Sequence, residues 1–255
     1  VDDPALARME KQAPETAATF LQRLAGIAEE RSNANLTLIW ERELPTRSGA
    51  DVMLCRTPDM VAAAQRLRYA VYVEELKYET VHADHARKVL ADPLDDTAHI
   101  LVAMEGGEVV GTLRANHAGD SELGALADLY GMRASLHFPH AALVATKFVI
   151  APDRRGTSLA LKLIAALTQL GLRQNVRECF IDSIPDLVPY YRALGFDVAG
   201  PAFFHRENGP SLPMKVDLGV YGERLIRDPG SSEVARIRQR ADGFRTEGGA
   251  AARHR

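Results

Sequence analysis

Apolar positions along this chain fall into runs of different spacing, and each spacing predicts a different element. Phe20, Leu21, Leu24, Ile27 and Ala28 recur at helical intervals within an alanine-rich stretch covering the first ~35 residues, which predicts an amphipathic helix. Residues 36–44 form a short strand or an extended arm, and 46–49 a loop. Short apolar runs bounded by turn residues predict strands at 52–55, 99–104, 108–114, 142–150, 178–182, 203–206 and 212–218. Gly106-Gly107 separates the second and third of these and suits a primed two-residue turn, so the pair is a hairpin. Thr57 caps a helix that has Pro58 at its first position and runs to about Glu75. A second helix follows Gly156 and ends near Arg173, and a short third covers 186–194. Residues 79–97, rich in His, Asp and Lys, read mainly as loop, and 117–140 as a polar, mixed connection. The tail from Asp228 is charged, glycine-rich at its end, and expected to fray.

Strands alternating with helices around a mixed sheet predict an α/β (α+β) class with one main domain. The expected division is a helical N-terminal extension over 1–49, the main domain over 50–226 and a charged tail over 227–255. Composition agrees with an ordinary soluble protein: 255 residues, 46% apolar, 25% charged. A formal charge of −3 gives no pull toward nucleic acid or an anionic membrane. Cys55 and Cys179 stand far apart in apolar runs and read as buried free thiols, not as a disulfide or a metal site. No apolar stretch approaches the ~20 residues of a membrane span. Val1-Asp2-Asp3-Pro4 lacks the basic and apolar parts of a signal peptide, so the expected compartment is the cytoplasm.

The chemistry begins at the corner between the 142–150 strand and the following helix. Phe148-Val149-Ile150-Ala151-Pro152 leads into Arg155-Gly156-Thr157-Ser158-Leu159-Ala160, a small-residue loop that opens a helix. The first helical turn carries unpaired N–H groups and the positive end of the helix dipole, so such a corner suits a phosphate. His82, His85, His99 and Asp84 are too irregularly spaced for a zinc site and read as a solvated loop, with no metal expected. No serine, histidine and acid set stands in a nucleophile-elbow context.

The element order and two motifs resemble the Gcn5-related N-acetyltransferase (GNAT) superfamily over residues 98–218. The first motif is the corner itself, with Ser158 where the superfamily usually has glycine. The second is Tyr190-Tyr191-Arg192-Ala193-Leu194-Gly195-Phe196. Upstream, Arg68, Tyr72 and Tyr78, then Asp92 and Asp95, then Arg114, look like the signature of acyl-homoserine-lactone autoinducer synthases and the related long-chain N-acyl amino acid synthases. Autoinducer synthases carry a Glu and an Arg on the long strand where this chain has Val144 and Lys147. The missing Glu argues against homoserine-lactone formation.

The resemblance implies that the backbone at Phe148, Val149 and Ile150 holds a pantetheine arm and that N–H groups from Arg155 to Ala160 face phosphate. Tyr191 falls on the superfamily's general-acid position. Asp182, Ser183, Glu122 and His117 are open candidates for the base, with Asp182 and Glu122 preferred. Arg68, Tyr72, Tyr78, Asp92, Asp95, Arg114 and Lys147 would order the site or hold a zwitterionic acceptor. The activity implied is a bacterial N-acyltransferase without a prosthetic group, moving a fatty acyl chain from acyl carrier protein or acyl-coenzyme A to a small-molecule amine. Ser158, with Arg154, Arg155 and Lys162, leans toward an acidic carrier protein as donor. An acetyl-coenzyme A-dependent N-acetyltransferase and a non-catalytic thioester-binding module are the alternatives.

Overall fold

The computed structural model describes residues 48–205, 207 and 209–220. The expected helix in the first 35 residues, the arm at 36–44 and the tail from 228 lie outside them.

β1 (Asp51–Leu54) enters the sheet, and α1 (Pro58–Tyr69) follows, capped by the Thr57 hydroxyl, which accepts from the Met60 N–H at 3.3 Å. The predicted single helix to Glu75 instead widens into a π-helical stretch, Ala70–Glu75, closed by Leu76 N–H to the Val71 carbonyl. The segment read as loop contains a small hairpin, β2 (Ala83–Asp84) with β3 (Val89–Leu90), and a 3₁₀ turn, Pro93–Thr97. Two-residue strands have no room to show alternation, so the sequence pattern does not reveal them.

β4 (His99–Glu105) and β5 (Glu108–His117) form the predicted hairpin, with Gly106 and Gly107 both at positive φ as a primed turn requires. The connection that follows holds α2 (Ala125–Leu129) and a 3₁₀ turn, Met132–Ala134. β6 (Ala142–Ile150) leads through the corner into α3 (Leu159–Arg173). Then come β7 (Glu178–Ser183), α4 (Val188–Ala193), β8 (Asp197–Val198), β9 (Phe203–His205) and β10 (Gly209–Asp217).

The eight-stranded sheet runs β1-β4-β5-β6-β7-β10-β8, with β9 pairing β10. Its neighbours are antiparallel except β6 and β7. Period-2 alternation sends each strand's side chains to two cores. On β4, Leu101 and Ala103 join the cluster under α3, while Ile100 and Val102 pack with Ala64 of α1. On β6, Leu143 and Ala145 face the α3 side, and Ala142 and Val144 join Tyr130 and Met132 on the other. α3 buries Leu159, Leu163, Ile164 and Leu167 along one face. Gly171 lets that helix approach closely, since a Cβ there would stand 2.6 Å from Leu218 Cδ1.

β6 and β7 pair in parallel only at Ala142–Glu178, Leu143–Cys179 and Val144–Phe180. Beyond Val144 they part, and the β7-facing edge of β6 is left without a ladder partner. This mixed, mostly antiparallel sheet flanked by helices is a GNAT-like fold.

Candidate active site

The signature residues converge. Arg68 from α1 and Arg114 from β5 are 0% and 1% exposed. Between them lies the Pro93–Thr97 turn, whose N-cap Asp92 and third residue Asp95 form a reciprocal capping box. Arg68 Nη1 donates to Asp95 at 2.7 Å, and Arg114 Nη1 lies 2.9 Å from Asp92 and 3.3 Å from Asp95. Gln65 Nε2 donates to Asp95 at 3.0 Å, and Arg114 Nε to the Thr146 hydroxyl at 2.9 Å. Burial alone would push both carboxyls up. For Asp95 the charge and hydrogen bonds of Arg68 outweigh it, and for Asp92 those of Arg114, so both end below the usual carboxylate range. An i, i+3 pair of acids on a tight turn thus ties α1, β5 and β6 together.

A cleft of about 200 Å³ opens next to this knot. Thr146 and Lys147 of β6 and Asp182 of β7 line it, all just past the last residues that pair these two strands with each other. Arg114 and Asp92 come from the knot, Tyr72 from the π-helical stretch, Tyr130 and Leu126 from the α2 region. Residues 79–82 and, from the β9–β10 side, His205 and Glu207 complete the lining.

Lys147 has a left-handed φ of 51°, unusual for a residue with a side chain, where the β5–β6 register shifts. The irregularity sends its side chain into the cleft. There Nζ meets Glu207 Oε2 at 2.5 Å and sits 5.3 Å from the centre of the Tyr72 ring. Tyr78 stacks on Tyr72, with ring centres 5.8 Å apart. Glu207 Oε1 also accepts from the Thr80 hydroxyl at 2.7 Å. Burial raises the Glu207 carboxyl, but Lys147 and Thr80 bring its net pKa below the ordinary value.

Asp182 Oδ1 accepts from the Tyr130 hydroxyl at 2.5 Å. Burial, then the Asp182 charge, holds the Tyr130 hydroxyl well above the usual tyrosine range. Tyr191, on α4, packs edge-on against Tyr190 and Phe196 beside the main core and is not among the residues lining the cleft. Burial, with Tyr190 and Asp182 adding to it, raises its pKa and keeps the hydroxyl protonated. Glu122 is exposed and apart from the cleft lining, as β5 extends to His117 and the chain then turns outward. The fold therefore does not bring it to the cleft with Asp182.

At the corner between β6 and α3, Gly156 takes a positive φ of 76° and α3 begins at Leu159. Val149 points into the core, while Phe148 and Ile150 are half-buried. Ser158 is buried, its hydroxyl turned inward to accept from the Ser48 N–H at 3.1 Å. That side chain therefore does not block the phosphate approach, and its presence alone gives no reason to prefer a carrier protein. The nearby cations are also engaged. Lys162 Nζ donates to the Ser48 and Ala50 carbonyls at 2.7 and 2.9 Å. Arg154 pairs with Glu105 at 2.5 Å and Asp153 at 2.6 Å, and Arg155 makes a two-pronged pair with Glu75 at 2.6 and 2.7 Å.

Of the acceptor-side residues expected from sequence, Tyr72, Asp92, Arg114 and Lys147 line the cleft; Arg68, Asp95 and Tyr78 stand behind them. Glu207, Thr80, Tyr130 and Thr146 were not expected there. Thr146 sits on the predicted 142–150 strand beside Lys147, and the other three come from the segment read as loop, the polar connection and the turn between the closing strands, where no spacing signals a site. His82 also lines the cleft, whereas His85 Nδ1 pairs with the Tyr69 hydroxyl and His99 with Gln174. No helix among the described residues is long and apolar enough to cross a membrane.

The fold gives the class of architecture, which is GNAT-like; the family match gives the activity. The model of the family described as "N-acyl amino acid synthase FeeM" matches residues 63–217, and the chain belongs to that family. An isovaleryl-homoserine lactone synthase of Bradyrhizobium diazoefficiens is 27% identical over 174 residues, covering 63% of this chain and 74% of that protein. The CoA-dependent acyl-homoserine lactone synthase BjaI, solved with SAM and isopentyl-CoA, superposes with a TM-score of 0.59 at 22% identity, covering 74% of this chain and 99% of that one. The structure of FeeM, an N-acyl amino acid synthase from uncultured soil microbes, gives 0.55 at 16% identity, covering 68% and 92%. These superpositions carry the fold. The family match makes the protein an acyltransferase of the autoinducer-synthase and FeeM type.

Proposed function

We propose that this enzyme moves a long acyl chain from a phosphopantetheine thioester, on acyl carrier protein or coenzyme A, to the amine of an amino acid or similarly small acceptor. The observation that carries this is a cleft holding Asp182 and Lys147 where β6 and β7 part. A zwitterion needs both signs of charge, and a thioester arm needs the unpaired strand edge beside them. In this scheme Asp182 takes a proton from the acceptor ammonium, directly or through water, with Tyr130 fixing one carboxylate oxygen. The amine nitrogen then attacks the thioester carbon. Backbone N–H groups of the parted β6 edge face the developing oxyanion. The C–S bond breaks, and the leaving thiolate is protonated by Tyr191 through water, since that hydroxyl stands outside the cleft lining. The surplus proton on the new amide nitrogen passes to water and restores Tyr191. A thiol pKa near ~8.5 makes that proton helpful but not indispensable.

Homoserine-lactone synthesis is disfavoured because buried Val144 offers no acid on the long strand. Both donor carriers are cytoplasmic, which is the compartment proposed. The test is thiol release and product mass with the purified protein, acyl-carrier-protein and acyl-coenzyme A donors of several lengths, acetyl-coenzyme A, and a panel of amino acids. Long-chain N-acyl amino acids are expected. Turnover with acetyl-coenzyme A alone would replace this reading with acetyl transfer, and binding without thiol release would make the protein a thioester-binding module.

A further inference from the structure

Glu207 is not explained by acyl transfer, yet it holds the cleft's lysine. Its carboxylate reaches Lys147 Nζ at 2.5 Å and accepts from Thr80 at 2.7 Å, so three separate chain segments meet over the cleft. The ion pair is nearly enclosed: the Lys147 side chain is 8% exposed and that of Glu207 14%. Lys147 is also held at a left-handed backbone angle that favours glycine, so its position is imposed by the fold.

We propose that Glu207 is an internal stand-in for the acceptor's carboxylate and that the acceptor enters by exchanging places with it on Lys147. This rests on the amino-acid acylation proposed above and adds how the acceptor is selected. The physical reason is the asymmetry of buried ion pairs. Removing one partner strands a desolvated charge and is strongly unfavourable, whereas replacing one carboxylate by another leaves the charge compensated. An amino acid can open the Lys147–Glu207 pair at little cost. An amine without a carboxylate cannot, because Lys147 would lose its counter-charge. Tyr72, beneath Nζ, stays with the lysine during the exchange and keeps its cation–π contact. Glu207, released with Thr80, moves outward from the lining of the cleft.

The test compares each amino acid with its carboxamide and its decarboxylated amine, in the wild type, Glu207→Gln and Lys147→Met, with a long-chain acyl donor held saturating. The wild type should use amino acids and reject the uncharged analogues. Glu207→Gln removes the competing charge and should lower the amino-acid KM by about tenfold or more, the scale of one charge-assisted hydrogen bond, with the analogues, which no longer have to break the pair, gaining less than the amino acids. Lys147→Met should erase the discrimination. A Glu207→Gln KM that is unchanged or higher, in a variant whose melting temperature shows it folded, would overturn the exchange. So would equal use of amino acids and their amides by the wild type. In either case acyl transfer itself would still be measured, whereas a wild type that acylates none of these amines defeats the underlying function instead. Thermal shift of the donor-free protein by amino acids reads the same exchange without turnover. Glu207→Gln should enlarge that shift, and a smaller shift would count against the proposal.

Discussion

Two groups of ion pairs use the same side-chain chemistry in different surroundings. In the wall of the cleft and behind it, Arg68, Arg114, Asp92 and Asp95 are largely withdrawn from water, with the side chains of Arg68 and Asp95 only 0% and 5% exposed. At the corner between β6 and α3, Arg155 and Glu75 form a pair of comparable length whose side chains are 43% and 34% exposed. In the first group each charge has surrendered its hydration and depends on its partner. In the second, water stands ready to replace the partner. The first group is therefore built as a fixed scaffold, whereas the cation of the second can exchange one anion for another.

Breaking the buried side should have the largest effect. Asp95→Asn leaves Arg68 enclosed without its counter-charge and should cost about 3–5 kcal/mol in denaturant unfolding; a loss below about 1 kcal/mol would make the knot no different from a surface pair. Asp182→Asn should lower kcat about hundredfold or more if Asp182 is the base, with the melting temperature much less affected than by Asp95→Asn. Unaltered turnover would move the base elsewhere. Tyr191→Phe should reduce kcat more modestly and leave donor KM alone, because the thiolate can leave unaided.

Acid titration sharpens the contrast without removing any side chain. The Asp92 and Asp95 carboxyls lie below their ordinary values in the folded protein. Their contribution to stability is thus present above the unfolded carboxylate pKa of about 4 and lost as pH falls through the folded values. Unfolding followed below pH 4 should show this loss, and Asp95→Asn should flatten it. Glu75→Gln should have the smallest effect, no more than about 1 kcal/mol and fading with added salt. A salt-insensitive loss of several kcal/mol would contradict the division between the two groups.

Much of the site was legible through the resemblance to the autoinducer-synthase signature, whose residues sit on regular or locally capped elements. Thr57 and Pro58 announce the helix that delivers Arg68. Asp92 and Asp95 stand three apart because a capping box needs them so. Gly106-Gly107 sets the hairpin that carries Arg114 into the core. The corner at Gly156 combines a small-residue loop with a helix start, both local features. Glu207, Thr80 and Tyr130 had no such signal: each reaches the cleft from an irregular segment far along the chain. Glu122 does not line the cleft, since sequence proximity to the hairpin says nothing about which way a side chain faces after the strand ends.

By itself the sequence determined the main strands of the sheet, the glycine hairpin and the helices after Thr57 and Gly156, all properties of near neighbours governed by backbone conformation and periodic burial, while the acid–arginine set was legible only through its resemblance to the autoinducer-synthase signature. The tertiary structure alone decided which charges lose water and which keep it. It turned Ser158 toward Ser48 and away from the phosphate approach, and it engaged Lys162 with backbone carbonyls. It also parted β6 from β7 after Val144, so that Lys147, Asp182 and Glu207 share one cleft. Desolvation and partner choice depend on residues brought together across the chain, and no local pattern encodes them.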